Sequence, residues 1–181
     1  MHDLLFRGAR VIDGSGSPAR LADVVVDAGL IAEIRDAEDP GRPADARQVV
    51  ACDGLVLAPG FIDVHTHDDA LMLERAPLDR AHPKLSQGVT TVVTGNCGIS
   101  LAPLDASAVR DLAAQPPVCN VAALVGHTSL RVKHLPDVGR EATEAQAEAM
   151  ASEVGVALRQ GAWGLSTGVS RRACPQNWCS A

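Results

Sequence analysis

The sequence predicts an α/β fold: about the first four strands of an incomplete TIM-like (β/α)8 barrel, preceded by a small β-rich segment. Three observations carry this. Residues 1–57 hold only short β-type runs broken by Gly, Ser and Pro. From residue 58 to 169, four apolar runs each end in polar residues. Between the third and fourth lies a helix with a start, an apolar face and a stop. Strands that alternate with helices and deliver polar groups at their C-terminal ends lay out a (β/α) barrel with its site on that rim.

In chain order, the first segment offers β-type runs at Leu4–Phe6, Arg10–Ile12, Asp23–Val26 and Leu30–Ile34, lengths that suit a small sheet or sandwich-like unit. Asp13–Pro18 (DGSGSP) lacks the spacing of a phosphate loop and is followed by no helical pattern, so it reads as a turn. Glu38–Arg47 (EDPGRPADAR) is a polar loop and a candidate boundary. The first barrel strand follows in PGFIDVHTHDD, Pro59–Asp69, and the second in GVTTVVTGNCG, Gly88–Gly98. A helical stretch runs from Asp105, a suitable N-cap, to Ala114 before Pro116. NVAALVGHTSLR, Asn120–Arg131, reads as a third strand ending at Gly126 to Ser129. Thr143 and Gln146 then form a capping box, and Met150, Val154, Ala157 and Leu158 make a stripe that ends before Gly161. GAWGLSTG, Gly161–Gly168, is the fourth strand.

Composition narrows the function. The chain of 181 residues is 46% hydrophobic but 2% aromatic, without Tyr, so base-stacking surfaces are excluded. A formal net charge of -6 opposes a phosphate-backbone partner; no nucleic acid is expected. No leader pattern opens the chain and no run approaches the ~18 apolar residues of a membrane span, so a cytoplasmic protein without membrane attachment is expected. Five Cys without a dense framework read as thiols, ligands or nucleophiles rather than staples.

The chemistry concentrates in the first barrel strand. If it continues to its end, Phe61, Asp63, His65 and His67 share one face, and Ile62, Val64 and Thr66 share the other, helix-covered one. Two histidines one residue apart lie about 6.6 Å apart at their Cα atoms, near enough to converge on one ion. The competing reading is a pair of core histidines satisfied by backbone carbonyls. Cys97, at the end of the neighbouring strand, can approach the same ion, with Gly95 and Gly98 beside it to turn the thiol inward. Otherwise it is a small buried hydrophobe.

PGFIDVHTHDD, GVTTVVTGNCG, GHTSLR and GAWGLSTG, in this order behind a small β-rich segment, resemble the metal-dependent amidohydrolases, and among them the D-aminoacylases or N-acyl-D-amino-acid deacylases. The likeness covers residues 3 to 169. His-x-His alone marks the superfamily; the GNCG beyond it is more specific. The resemblance implies Zn2+ as cofactor, held by His65, His67 and Cys97, with Cys97 standing in for the strand-four lysine or glutamate of many relatives. GAWGLSTG has neither, which opposes a hydantoinase, dihydroorotase or dipeptidase type of activity.

The implied reaction is zinc-dependent hydrolysis of the amide bond of a small-molecule N-acyl-D-amino acid to a carboxylate and a D-amino acid. Asp63 either orients an imidazole or caps a polar pocket; Asp68 and Asp69 lie near the site or cap a loop; His127 and Ser166 either support the ligands from behind or contact the substrate. Cys52, Cys119, His2, His82 and His134 read as structural or surface residues.

The family's further histidines and its catalytic aspartate come from later barrel strands, so the resemblance implies a truncated, inactive amino-terminal part, with a non-catalytic scaffold remnant as the alternative. Residues 170–181 carry no periodic pattern and read as an out-of-frame tail; a Cys174 and Cys179 metal loop is the rival.

Overall fold

The structure, a computed structural model, describes residues 1–36, 45–69, 83–104, 114 and 117–168. The helix expected at Asp105–Ala114, most of the Glu38–Arg47 loop, His82 and the 170–181 tail lie outside the described residues. The chain divides into two compact units, Met1–Pro59 and Gly60–Ala181.

The first unit is one five-stranded sheet: β1 (His2–Val11), β2 (Arg20–Asp27), β3 (Leu30–Asp36), β4 (Ala46–Ala51) and β5 (Val56–Leu57). β1 lies at its centre, antiparallel to β2 and parallel to β4 and β5. Two runs expected as separate strands, Leu4–Phe6 and Arg10–Ile12, are one strand. The register shifts between Phe6 and Ala9, so the glycine read as punctuation sits in a bulge. The β2–β3 hairpin turns at Ala28 and Gly29, both with positive φ, the geometry that suits strand twist. DGSGSP is a turn as expected, with Asp13 Oδ1 accepting from the Ser15 N–H and hydroxyl. Ala9, Val11, Ala22, Val24 and Cys52 form the aliphatic core, which accounts for Cys52 as a structural thiol.

The second unit is a wholly parallel sheet of β6 (Phe61–Asp63), β7 (Val89–Thr94), β8 (Asn120–Gly126) and β9 (Gly164–Ser166), paired in sequence order. β6 is shorter than the alternating HTH pattern implies. The backbone bends at Val64 and His65, and only Thr66 of the expected covered face is buried, while Ile62 and Val64 are exposed. β8 ends at Gly126, at its expected polar end, and the chain turns there into helix α1 (His127–His134), which the sequence pattern does not mark. The turn puts Leu130 and Leu135 into the core with Val125 and Met150, which an extended chain would not.

Helix α2 (Glu144–Arg159) follows the expected pattern. Thr143 accepts from the Gln146 N–H, and the Gln146 side chain returns to the Thr143 N–H, so both halves of the capping box are made. Met150 and Ala157 are buried and Val154 packs beside them, but Leu158 lies at the edge of the stripe and stays exposed. Glu153 joins α2 to α1 by accepting from Lys133 at 2.8 Å and pairing with His134 at 3.0 Å. No helix among the described residues is long and apolar enough to cross a membrane.

Candidate metal centre

The site is built where β6 and β7 end. Beyond Asp63 the chain is pinned to β7 by Thr66, 3% exposed, whose N–H and hydroxyl both donate to Val93 O, at 3.2 and 3.3 Å. Asn96 adds a second tie from the β7 side, its amide donating to Thr66 O at 3.2 Å and Val93 O at 2.8 Å. These bonds fix the segment between His65 and His67 against the loop that carries Cys97.

That loop is a single tight turn, Asn96–Gly98. Gly95 enters it at φ 78°, and a Cβ there would lie 2.2 Å from Leu124 O, so no other residue fits. Cys97 itself adopts φ 57°, ψ 23°, a left-handed conformation uncommon outside glycine. Such strain persists where surrounding bonds over-determine it, and it clusters at functional sites. Here it turns the thiol toward the histidines.

His65, His67 and Cys97 each offer one ligand atom, and these atoms lie within 4.8 Å of one another. Cys97 Sγ is 3.3 Å from His65 Nε2, and the two imidazole rings stand edge to face with centroids 5.7 Å apart. A tetrahedral zinc with bonds of about 2.3 Å to sulfur and 2.0 Å to nitrogen sets donors about 3.3 to 3.6 Å apart. One pair already has that spacing, and the third donor lies within 4.8 Å of both. Two imidazoles and a thiolate are a soft donor set that suits zinc. All three residues are exposed, so the cluster faces solvent.

The carboxylates around the cluster are engaged elsewhere. Asp63 is held by backbone and by a lysine. Its Oδ1 accepts from the His65 N–H, while its Oδ2 lies 2.6 Å from Lys84 Nζ, which also reaches Asp68 at 3.2 Å. One ammonium thus ties the two ends of the segment that contains both histidines. The Lys84 hydrogen bond, helped by the His65 N–H, holds the Asp63 carboxyl below its ordinary range, and the two carboxylates raise Lys84. Asp69 caps backbone on the neighbouring loop, accepting from Gly95 N–H at 3.2 Å and Leu101 N–H at 3.1 Å.

Ser166, at the end of β9, also meets that loop: it accepts from Gly98 N–H at 3.1 Å and donates to Gly95 O. His127 opens α1, half-buried, and does not join the three clustered donors. Cys119 is buried, with its thiol on Val89 O, and His134 serves the α1–α2 contact. Sequence reasoning missed Lys84, which stands in no periodic pattern, and gave no role to Asn96 although it lies inside GNCG.

A parallel sheet with a His, His, Cys cluster at its carboxyl edge is the layout of a hydrolase whose donors could hold a metal ion. The family model of the amidohydrolases matches residues 48–175, and the chain belongs to the amidohydrolase family, a family of hydrolases. N-acyl-D-aspartate deacylase of Alcaligenes xylosoxydans xylosoxydans is 46% identical over 190 aligned positions, covering 92% of this chain and 36% of that protein. The crystal structure of a D-aminoacylase superposes with TM-score 0.81 at 42% identity, over 93% of this chain and 39% of that one. N-acyl-D-glutamate deacylase from Bordetella bronchiseptica, solved with zinc and a phosphonate mimic of the tetrahedral intermediate, gives TM-score 0.80 at 39% identity, over 93% and 38%. The chain therefore spans little more than a third of the length of these relatives. The D-aminoacylase resemblance read from PGFIDVHTHDD and GNCG holds.

Proposed function

We propose that this chain carries the zinc-binding part of an N-acyl-D-amino-acid deacylase, which cleaves the amide of a small-molecule N-acyl-D-amino acid to a carboxylate and a D-amino acid. The observation that carries the reading is the convergence of His65, His67 and Cys97 within 4.8 Å. Zinc, when bound there, supplies a Lewis acid for the amide carbonyl and acidifies water. The chain's own residues position the donors: Thr66 and Asn96 join the two ligand-bearing segments, and Lys84 braces Asp63 and Asp68 on either side of the histidines.

Proton handling needs a further group. The three aspartates beside the cluster are committed, Asp63 and Asp68 to Lys84 and Asp69 to two backbone N–H groups, so none is poised as a general base. The 181-residue chain alone is accordingly expected to bind zinc without turning over substrate. In this reading residues 58–169 carry the site and residues 1–57 form an accessory β unit of a cytoplasmic enzyme, in keeping with free thiols at Cys52 and Cys119. β9 offers Leu165 and Ser166 but no lysine, which favours the deacylase over a hydantoinase or dihydroorotase type.

Two measurements test the proposal. Co2+ added to the chain should give a thiolate-to-metal charge-transfer band that Cys97→Ala abolishes and Cys119→Ala retains; equal bands in parent and Cys97→Ala refute the metal assignment. A chimera in which this chain replaces the matching part of N-acyl-D-aspartate deacylase should hydrolyse N-acyl-D-amino acids and not hydantoins. Hydantoin cleavage without deacylation would overturn the substrate class.

A further inference from the structure

We infer that Asp69 and Ser166 are positioning residues for Cys97, holding its loop in the left-handed conformation that presents the thiol to the metal; the inference rests on the reading of Cys97 as a ligand. The loop is held at both ends and from two strands. Asp69, just past the histidines, accepts from Gly95 N–H on the entry side and from Leu101 N–H on the exit side, spanning Cys97 with one carboxylate. Ser166, from the end of β9, accepts from Gly98 N–H and donates to Gly95 O, so one hydroxyl closes the turn across its own mouth.

Neither residue touches the thiol. The alternative for each is a plain structural bond, but the geometry is more selective than that. A carboxylate with both oxygens on backbone N–H groups and a hydroxyl used as donor and acceptor at once leave the four residues Gly95 to Gly98 little freedom. Cys97 sits in the middle at φ 57°, a conformation that relaxes if the clamps are removed. The fourth strand therefore contributes to the metal centre without supplying a ligand. Its residue acts through the loop of the second strand.

Partners that orient a ligand in this way are worth roughly 10- to 100-fold in metal affinity. The test uses the 181-residue chain, with Co2+ titrated into the parent and into Ser166→Ala, Ser166→Thr, Asp69→Asn and Thr143→Ala. Expected are a roughly tenfold or greater loss of Co2+ affinity in Ser166→Ala and Asp69→Asn with a shifted charge-transfer band, and partial recovery in Ser166→Thr, whose hydroxyl can remake both bonds. Thr143→Ala, which removes the α2 cap far along the chain, should lower the melting temperature and leave the band unchanged.

A second readout needs no metal. Alkylation of Cys97 in the metal-free chain, resolved from the other cysteines by peptide mass mapping, should accelerate in both clamp variants. If the parent takes up no Co2+, the metal reading falls, and the clamp is then judged on alkylation alone. Parent-like affinity in Ser166→Ala and Asp69→Asn, or parent-like alkylation of Cys97 in both, overturns the inference.

Discussion

Replacing Asn96 separates the joining of the two ligand segments from the chemistry of the ligands. Its amide makes two bonds, to Val93 O at 2.8 Å and Thr66 O at 3.2 Å. In Asn96→Ala, Val93 O keeps the N–H and hydroxyl of Thr66, so only Thr66 O loses a donor. The cost is then about 1 to 2 kcal/mol, the net of two neutral hydrogen bonds rather than that of an orphaned network. Asn96→Asp is nearly isosteric but turns an acceptor toward the same two carbonyl oxygens, so it should cost at least about 1 kcal/mol more than Ala. Urea unfolding of the second unit can be followed through exposure of the buried Cys119 thiol, with Cys52 reporting the first unit. Both variants should also weaken Co2+ binding, Asp more than Ala, because the spacing of His65 from Cys97 depends on this tie. Asn96→Asp as stable as the parent, with Co2+ affinity unchanged, would refute the reasoning.

Lys84→Met should cost little stability, since both its ion pairs are solvent-accessible, yet lower metal affinity several-fold by freeing Asp63 and Asp68; calorimetric titration with zinc separates the two effects. Gly168→Ala places a Cβ about where Cys97 O already lies, 2.2 Å from the ideal position, and should displace the loop; a band shift in the Co2+ spectrum without loss of the α2 helix signal is the expected result. For Glu153, burial raises the pKa but hydrogen bonds from Lys133 and His134 outweigh it, leaving it below its ordinary 4.5. A depressed carboxylate stabilises the fold above its unfolded pKa and loses that contribution as the pH falls through the folded one. This contact should therefore leave the melting temperature unchanged from pH 7 down to about 4.5 and lower it as the pH falls further, by less in Glu153→Gln, and equal slopes below pH 4.5 would count against it.

What could be read from sequence alone was what is local. The α2 capping box is legible because Thr143 and Gln146 are three residues apart and satisfy each other within one turn. The convergence of His65, His67 and Cys97 is legible because His-x-His and GNCG fall just beyond the ends of two neighbouring strands. Where the strand reading of the first barrel segment fails, tertiary contacts override a strand-like pattern. His-Thr-His alternates like a strand, but Thr66 spends its N–H and hydroxyl on Val93 O, and the chain bends before it. Gly126 to Arg131 is a polar strand end with one apolar residue and no helical pattern of its own, but burial of Leu130 draws it into helix α1.

The support of the centre was illegible for a different reason. Asp69 bonds to partners 26 and 32 positions away and Ser166 to partners 68 and 71 positions away, and no periodicity encodes a carboxylate that chooses two particular backbone N–H groups. Such choices exist only once the parallel strands lie in register. The absence of a strand-four lysine and the candidacy of Ser166 were readable, whereas the backbone groups that its hydroxyl bonds were not. A strand that lacks the ligand can still shape the metal centre, provided its hydroxyl holds the loop of the strand that has one. Ser166 meets that condition: it lies at the end of β9, two positions before the Gly168 backbone against which Cys97 O packs.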